Sequence, residues 1–191
     1  MDLAPITAFF MHAPGVPIGP FTNRATWAAH AERSERSNAM TQLNHSETDV
    51  VDAIRKDHRE IEQMLAAVES AQGTAKKDAF DQLARKLSAH EAAEEEVVHP
   101  LTEDLGATDV AASVEMEESE ASVLLSDMAS MDVASSEFEA AFQKLKLAVM
   151  AHARHEESEE HPRLKENESP DYLVQLADEY ESAEEEAMGR A

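Results

Sequence analysis

Cysteine is absent from this chain of 191 residues, so disulfide bridges, thiolate zinc sites, iron–sulfur clusters and cysteine nucleophiles are excluded. Aromatic residues make up only 5% of the sequence, which also holds just five glycines and seven prolines. This composition disfavours β-sandwiches and β-barrels, because those folds need β-branched and aromatic residues and many tight turns. No apolar run approaches the roughly 20 residues that a membrane span needs.

Basic residues are also scarce, with 16 Lys and Arg against 40 Asp and Glu and a formal net charge of -24. A charge of this sign repels phosphate backbones and anionic lipid surfaces, so we expect neither nucleic acid nor a membrane as a partner. The acidic and basic residues cancel within residues 1–39, so the whole net charge lies after residue 39.

The N-terminal segment differs in character from the rest of the chain. Residues 1–39 contain four of the seven prolines and show no sustained hydrophobic period. Their apolar patch, Ile6 to Met11, is too short for the core of a signal peptide and follows no basic segment. We therefore predict a disordered leader over residues 1–46 and a cytoplasmic location, with Met40 as a hypothetical true start.

The sequence after the leader has the period of amphipathic helices. From residue 47 to 161 the only helix-breaking residues are Gly73, Pro100 and Gly106. Four stretches between these breaks carry core positions spaced by four and then three residues, which marks a stripe that faces a helical bundle. The last of these stripes continues to Glu159. The pattern predicts an all-α protein.

Short connections between the four stretches predict the topology. They make consecutive helices antiparallel neighbours, which gives an up-down-up-down four-helix bundle over residues 47–168. Ser169 followed by Pro170 is a typical helix start. Residues 169–191 are therefore predicted to form an additional C-terminal helix and tail, docked on the bundle through residues such as Tyr180.

Six polar residues occupy stripe positions where the pattern calls for Leu or Ile. They are His58, His90, Glu94, Glu118, His152 and Glu156. Three buried carboxylates without partners would oppose folding unless a cation compensates them. In the spacing His-x-x-x-Glu the two side chains lie one turn apart on one helix face, so both can reach one metal ion. A metal centre is the favoured interpretation, and a hydrogen-bonded polar layer that fixes the helix register stays open as the alternative.

The polar stripe repeats within the chain. The block HEAAEEEVVHP, which begins at His90, recurs as HARHEESEEHP, which begins at His152. The residues around His58 match those around Glu118 in the same way. Such a repeat predicts a duplicated helix hairpin with a pseudo-twofold axis through the polar positions, and a pair of metals is its natural occupant.

The segments DAIRKDHREIEQML, LSAHEAAEEEVVHP and VMAHARHEESEEHP resemble the hemerythrin-like (HHE cation-binding) domains over about residues 48–168. The resemblance implies a four-helix bundle that holds a non-haem centre of two iron ions with an oxo or hydroxo bridge. It also implies that His58, His90 and His152 are ligands and that Glu94 and Glu156 bridge the two irons. The donor types alone suit iron or manganese, and zinc is not excluded.

The chain departs from the family at one position and offers one extra candidate ligand. Glu118 stands where the family has a third-helix histidine, and a carboxylate is a harder and more anionic donor. We expect it to favour ferric iron, and therefore oxidation, iron holding or sensing over reversible oxygen carriage. Glu62, one turn after His58, is a further candidate ligand beside the stripe. His99 and His161 precede the prolines, and we interpret them as helix-end residues or neighbours of the ligands. Contact with the metal or its access route is the lesser alternative.

Three functions remain open from the sequence. The leading one is a di-iron protein that binds or senses O2, peroxide or nitric oxide in a stress response, or buffers iron. The first alternative is a di-iron enzyme that acts on peroxide or nitric oxide. The more distant alternative is a metal-free helical interaction module. The expected partner is a small diatomic ligand or peroxide, and no spacing identifies a protein partner.

Overall fold

The computed structural model describes residues 48–190, so the predicted leader and the hypothetical start at Met40 lie outside the described residues. Those residues form helices and contain no strand, and the predicted all-α fold class is confirmed. The elements in chain order are α1 (Val50–Ser70), α2 (Gly73–Val97), α3 (His99–Asp104), α4 (Thr108–Met128), α5 (Ser136–His155), a π-helical segment (Glu156–Glu160), α6 (His161–Asn167) and α7 (Pro170–Arg190).

Four long helices form the bundle as two hairpins. Helix α1 packs against α2, and α4 packs against α5. The connections within each hairpin are short, so its helices run antiparallel. Helix α7 packs on the outside of α2 and α1, which confirms the predicted C-terminal helix. Within residues 48–190, the first hairpin is therefore covered by a helix that has no counterpart on the second.

Local signals explain where the helices begin. The Asp49 carboxylate accepts a hydrogen bond of 3.1 Å from the backbone N–H of Asp52 and caps α1. The Ser135 hydroxyl accepts one of 3.0 Å from the backbone N–H of Phe138 and caps α5. Each cap satisfies a donor that has no partner inside its own helix. Gly73 starts α2 at a φ of 58°, in the left-handed region that favours glycine.

The two His-Pro pairs mark the points where long helices end and short ones begin. Pro100 and Pro162 lie in the first turns of α3 and α6, where a residue without an N–H is tolerated. Before Pro162 the chain widens into the π-helical segment, in which the backbone N–H of His161 bonds to the carbonyl of Glu156. This turn takes up an extra residue, so Glu160 is buried and Glu159 is exposed. The predicted inward position of Glu159 is wrong, because an α-helical period does not hold across a π turn.

Two apolar clusters enclose the polar stripe positions along the bundle. One cluster includes Leu65, Leu87 and Phe142, and the other includes Ile54 and Tyr180. Along α1 and α2 the predicted ligands lie between residues of these two clusters. The polar residues therefore form a buried layer inside the bundle, which we call the ligand layer. No helix within residues 48–190 is long and apolar enough to cross a membrane.

Candidate metal centre

The structure brings the six polar stripe residues together. All six are buried, with exposed fractions of 9% or less. Their ligand atoms form two groups in which every atom lies within 4.8 Å of the others; the first is His58, His90 and Glu94, and the second is Glu94, Glu118, His152 and Glu156. Glu94 belongs to both groups. Two metal-competent positions that share a carboxylate are the arrangement that a dinuclear centre requires.

Glu62, the seventh candidate ligand, lies elsewhere. Its side chain is exposed on α1, and it belongs to neither group of converging ligand atoms. The physical reason is its position in the helix period: it follows the buried Ile61 and points away from the stripe.

Glu156 faces imidazoles on two different helices. Its Oε2 lies 3.0 Å from His58 Nε2, and its Oε1 lies 3.2 Å from His152 Nε2. On the other side of the layer, Glu94 Oε2 lies 3.2 Å from His90 Nε2. A carboxylate whose two oxygens face separate imidazoles has the geometry of a bridge between two metal positions.

Many of these close atoms are not aligned to hydrogen-bond one another. Within residues 48–190, every buried side-chain nitrogen or oxygen atom without a hydrogen-bond partner belongs to the ligand layer or to two buried residues beside it, Glu160 and His161. The residues that carry such atoms are His58, Glu94, Glu118, His152, Glu156, Glu160 and His161. Leaving buried polar atoms without partners is costly, so lone pairs that converge on a shared space fit a bound cation. The residues present therefore fit a metal centre.

The outer nitrogen of each predicted imidazole ligand is already engaged. His58 Nδ1 lies 3.1 Å from Glu157 Oε1, and His152 Nδ1 lies 3.3 Å from Glu117 Oε2. His90 Nδ1 lies 2.6 Å from the Tyr180 hydroxyl. Groups that hold Nδ1 leave Nε2 of each ring directed into the layer, which is how proteins orient metal-binding imidazoles.

The contact between His90 and Tyr180 determines which nitrogen of His90 is free. Burial raises the pKa of Tyr180 well above its usual range, so the phenol keeps its proton and donates it to Asp57 Oδ2 over 3.0 Å. The hydroxyl oxygen can then only accept from His90 Nδ1–H. Burial, with a contribution from His58, also holds the pKa of His90 well below its ordinary value. His90 is therefore neutral, with an unprotonated Nε2 facing Glu94.

Lys86 completes this network at the edge of the bundle. Its ammonium donates to Asp57 over 2.9 Å and to Glu184 over 2.5 Å. Asp57, His90 and Glu184 also bring ligand atoms together, but the Lys86 cation already lies between their carboxylates, so we assign no metal there. Sequence reasoning placed Tyr180 on the docking face of α7 and missed this role. The available signal was its hydroxyl, since a buried tyrosine usually finds a polar partner.

Glu118 is held by a histidine that sequence reasoning placed only near the ligands. His99 Nε2 donates to Glu118 over 2.9 Å, and Nδ1 donates to Glu160 over 3.1 Å. Thr102 donates a further hydrogen bond of 2.6 Å to Glu160. Burial alone would lower the pKa of His99, but the two carboxylates raise it to about 11. His99 is therefore an imidazolium that is clamped between two buried carboxylates.

The charges of the layer are unequally distributed. Burial raises the pKa of Glu94 well above its usual range, and the charges of Glu156 and Glu118 add to that rise. Burial acts in the same direction on Glu156, but His152 and His58 hold the pKa of its carboxyl well below the usual range. Burial lowers the pKa of His161 to about 4, so this imidazole is neutral. Metal cations would supply the positive charge that the buried carboxylates require.

Two comparisons with known proteins agree with this fold. The sequence model of the Hemerythrin HHE cation binding domain matches residues 49–164. The crystal structure of a hemerythrin HHE cation binding domain-containing protein from Mycobacterium kansasii matches with a TM-score of 0.66 and 19% identity, over 75% of this chain and 89% of that chain. At this level of identity the likeness shows a shared fold.

A curated relative is a DNA nickase from Nostoc sp., which is 27% identical over 155 residues, or 80% of this chain. The chain spans only 44% of the length of that relative. The name of the Nostoc protein therefore describes a molecule of which more than half has no counterpart in the match.

Proposed function

Since this chain belongs to the hemerythrin HHE cation-binding domain family, we propose that its ligand layer holds two iron ions. There the protein binds or senses O2, peroxide or nitric oxide, or buffers iron. Metal binding itself follows from the family and from the converging ligand groups. The identity of the metal, the number of ions and the small ligand are the proposal. A cytoplasmic location stays a prediction.

One observation carries the proposal of two ions. Glu94 belongs to both groups of converging ligand atoms, and the two oxygens of Glu156 face imidazoles from different helices. A single ion would leave one of these groups of buried donors without compensation, which is costly in a core. Two ions that share both carboxylates would compensate all of them.

The donor types support iron. Imidazole and carboxylate ligands without thiolate suit iron and manganese, and they also accept zinc. The family resemblance favours iron among these three. A pair of irons with an oxo or hydroxo bridge supplies reversible one-electron oxidation and an affinity for oxygen-derived ligands.

Glu118 favours sensing or buffering over reversible oxygen carriage. Its carboxylate is an anionic donor that favours the ferric state. The His99 imidazolium at 2.9 Å fixes its orientation and shares its charge, which leaves the second oxygen, Oε2, without a hydrogen-bond partner. Glu118 Oε1 lies 3.7 Å from His152 Nε2, so the carboxylate is positioned to donate to the metal that His152 would bind.

A di-iron enzyme acting on peroxide or nitric oxide is the second candidate, and the Tyr180 network favours it. A hydrogen-bonded chain runs from His90 through Tyr180 and Asp57 to Lys86, whose ammonium is partly exposed. Such a chain can hold and move a proton between the ligand layer and the surface, which turnover requires and simple binding does not. Steady-state consumption of peroxide that scales with iron content would favour this candidate.

The likeness to a DNA nickase does not lead us to propose DNA as a substrate. The net charge of -24 opposes contact with a phosphate backbone.

The third candidate, a metal-free interaction module, can be tested by measuring the melting temperature with and without metal. Metal that binds only the folded state raises the melting temperature, so an equal melting temperature with and without metal would favour the module.

The deciding experiment measures metal per chain by elemental analysis of aerobically purified protein, together with its near-ultraviolet and visible spectrum. We expect two irons per chain and the charge-transfer bands of an oxo bridge. His90→Ala and Glu156→Ala should abolish dinuclear binding, because each removes a donor from the ligand layer. His155→Ala is the matched control, since His155 contacts Glu117 and lies outside both ligand groups. Equal metal retention in all three variants, or no metal uptake by the wild type, would contradict the proposal.

A further inference from the structure

We propose that His161 is a further metal ligand, bound to the same ion as His58 and His90. This inference rests on the proposed dinuclear centre and adds a residue that the polar stripe does not contain. It gives that ion three imidazoles, whereas the other ion has one imidazole, His152, and the carboxylate of Glu118.

The first observation is that His161 is completely buried and has no hydrogen-bond partner. Its exposed fraction is 0%, and neither Nδ1 nor Nε2 has a partner among residues 48–190. An imidazole in this condition costs free energy that an apolar side chain of similar volume would not. A ring nitrogen that coordinates a metal would remove part of that cost.

The second observation is where the ring lies. The His161 ring is nearly parallel to that of His58, with centroids 5.9 Å apart and planes 11° apart. The His58 ring is in turn 5.1 Å from that of His90. Like Glu62, His161 is outside both groups of converging ligand atoms. Unlike the exposed Glu62, it is buried beside the two imidazoles that direct Nε2 into the ligand layer.

The π-helical segment explains how a residue outside the stripe reaches this place. In a π turn the residue five positions later lies above the first, and the backbone N–H of His161 bonds to the carbonyl of Glu156. His161 therefore stands one turn above a bridging carboxylate. An α-helix would place it on another face of the bundle. Local π turns often occur at functional sites.

The duplicated hairpin supplies an independent argument. His99 is the equivalent of His161 in the repeated block, and Glu118 is the equivalent of His58. His99 contacts Glu118, and His161 lies against His58, so both histidines occupy the same place relative to the centre. His99 is engaged at both nitrogens by carboxylates. His161 meets an imidazole instead, and its nitrogens remain available.

The two ions consequently have unequal donor sets and should bind in two steps. An anaerobic titration with Fe(II) against a competing chelator measures both steps. In His161→Leu we expect affinity for one equivalent to fall tenfold or more, while affinity for the other changes less than threefold. The melting temperature of the metal-free protein should stay equal or rise, because Leu replaces a buried imidazole without partners. Glu166→Leu, at an exposed position on the same helix α6, is the matched control and should keep both wild-type affinities.

The outcomes separate this inference from the proposed function. If both the wild type and His161→Leu bound two equivalents of Fe(II) tightly, the assignment of His161 would be overturned and the di-iron proposal would stand. Equal weakening of both equivalents would also overturn it. A wild type that binds no Fe(II) would overturn the di-iron proposal itself.

The wild type also offers a test that needs no variant. With Co(II) bound, each ligating imidazole gives one hyperfine-shifted ring N–H signal in the proton NMR spectrum. We expect four such signals, and three would contradict the inference.

Discussion

The two hairpins place equivalent residues at the ligand layer, yet the two sides of the layer have opposite chemistry. On one side His58 and His161 lie ring against ring, and His161 has no hydrogen-bond partner among the described residues. On the other side Glu118 and His99 form a charged pair that Glu160 extends. A duplicated backbone thus supports a nitrogen-rich side and an oxygen-rich side. Equal spacing in the sequence does not imply equal chemistry.

The largest expected effect is the loss of metal from both sides of the ligand layer at once. Glu156 faces both His58 and His152, so Glu156→Ala removes one of the two carboxylates that the proposed pair of ions would share. We expect both metal equivalents to be lost, as measured by elemental analysis after desalting. Glu120→Ala, at an exposed position on α4, should retain both. Retention of one tight equivalent by Glu156→Ala would show that this carboxylate serves one position only.

Removal of the histidine clamp should damage the oxygen-rich side and the stability of the metal-free fold. His99→Leu leaves Glu118 and Glu160 buried without their cation, and breaking a buried ion pair in this way costs about 3–5 kcal/mol. Denaturant unfolding of the chelator-treated protein measures the loss. An unfolding free energy within 1 kcal/mol of the wild type would contradict the clamp.

The clamp also predicts a pH dependence for the metal-free protein. The pKa of His99 is raised in the fold to about 11 from about 6.5 in the unfolded chain. The stabilisation is therefore complete below about pH 6.5 and is lost as the pH rises toward 11. We expect the unfolding free energy to fall between pH 7 and 10 in the wild type and to fall less in His99→Leu. If the unfolding free energies of the wild type and His99→Leu changed in parallel with pH, a raised pKa of His99 would be contradicted.

The nitrogen-rich side can be weakened through α7. Tyr180→Phe removes the hydroxyl that holds His90 Nδ1 and donates to Asp57. Loss of a group that orients a metal-bound imidazole typically costs 10–100-fold in metal affinity, and we expect about that loss for one of the two equivalents. Tyr172→Phe is the matched control, since Tyr172 lies on the same helix and is only partly buried. Equal losses for both equivalents would mean that the two sides are not independent.

The smallest expected effect comes from a substitution that makes the donors on the two sides of the ligand layer more alike. Glu118→His replaces the anionic donor with imidazole, so we expect a higher midpoint potential and a spectrum closer to that of ordinary hemerythrins. Glu120→His, exposed on the same helix, should change neither. An unchanged spectrum and potential in Glu118→His would show that Glu118 is not a ligand.

Much of the fold and of the ligand layer could be predicted because the core residues of both follow the α-helical repeat of about 3.6 residues per turn. His58, His90 and Glu94 stand at core positions of regular α-helices, and their burial follows from the same spacing that places Leu and Ile. The C-terminal helix was predictable from Ser169 and Pro170 for a similar reason, since caps are local signals.

The remaining features depend on contacts that a period does not encode. Glu160 and His161 are buried beside the ligand layer because the helix widens into a π turn. The sequence EESEE of this turn does not predict it. The clamp by His99 depends on a contact between α3 and α4, and the role of Tyr180 depends on how α7 lies across α2. The first of these is a local change of helix type, and the other two are tertiary contacts between different helices.

The most direct test of the two-sided centre is anomalous diffraction at the iron edge from crystals of the loaded protein. We expect two iron peaks that share Glu94 and Glu156. One peak should lie beside His58, His90 and His161, and the other beside His152 and Glu118. A single peak, or two peaks with His161 turned away from both, would contradict the account.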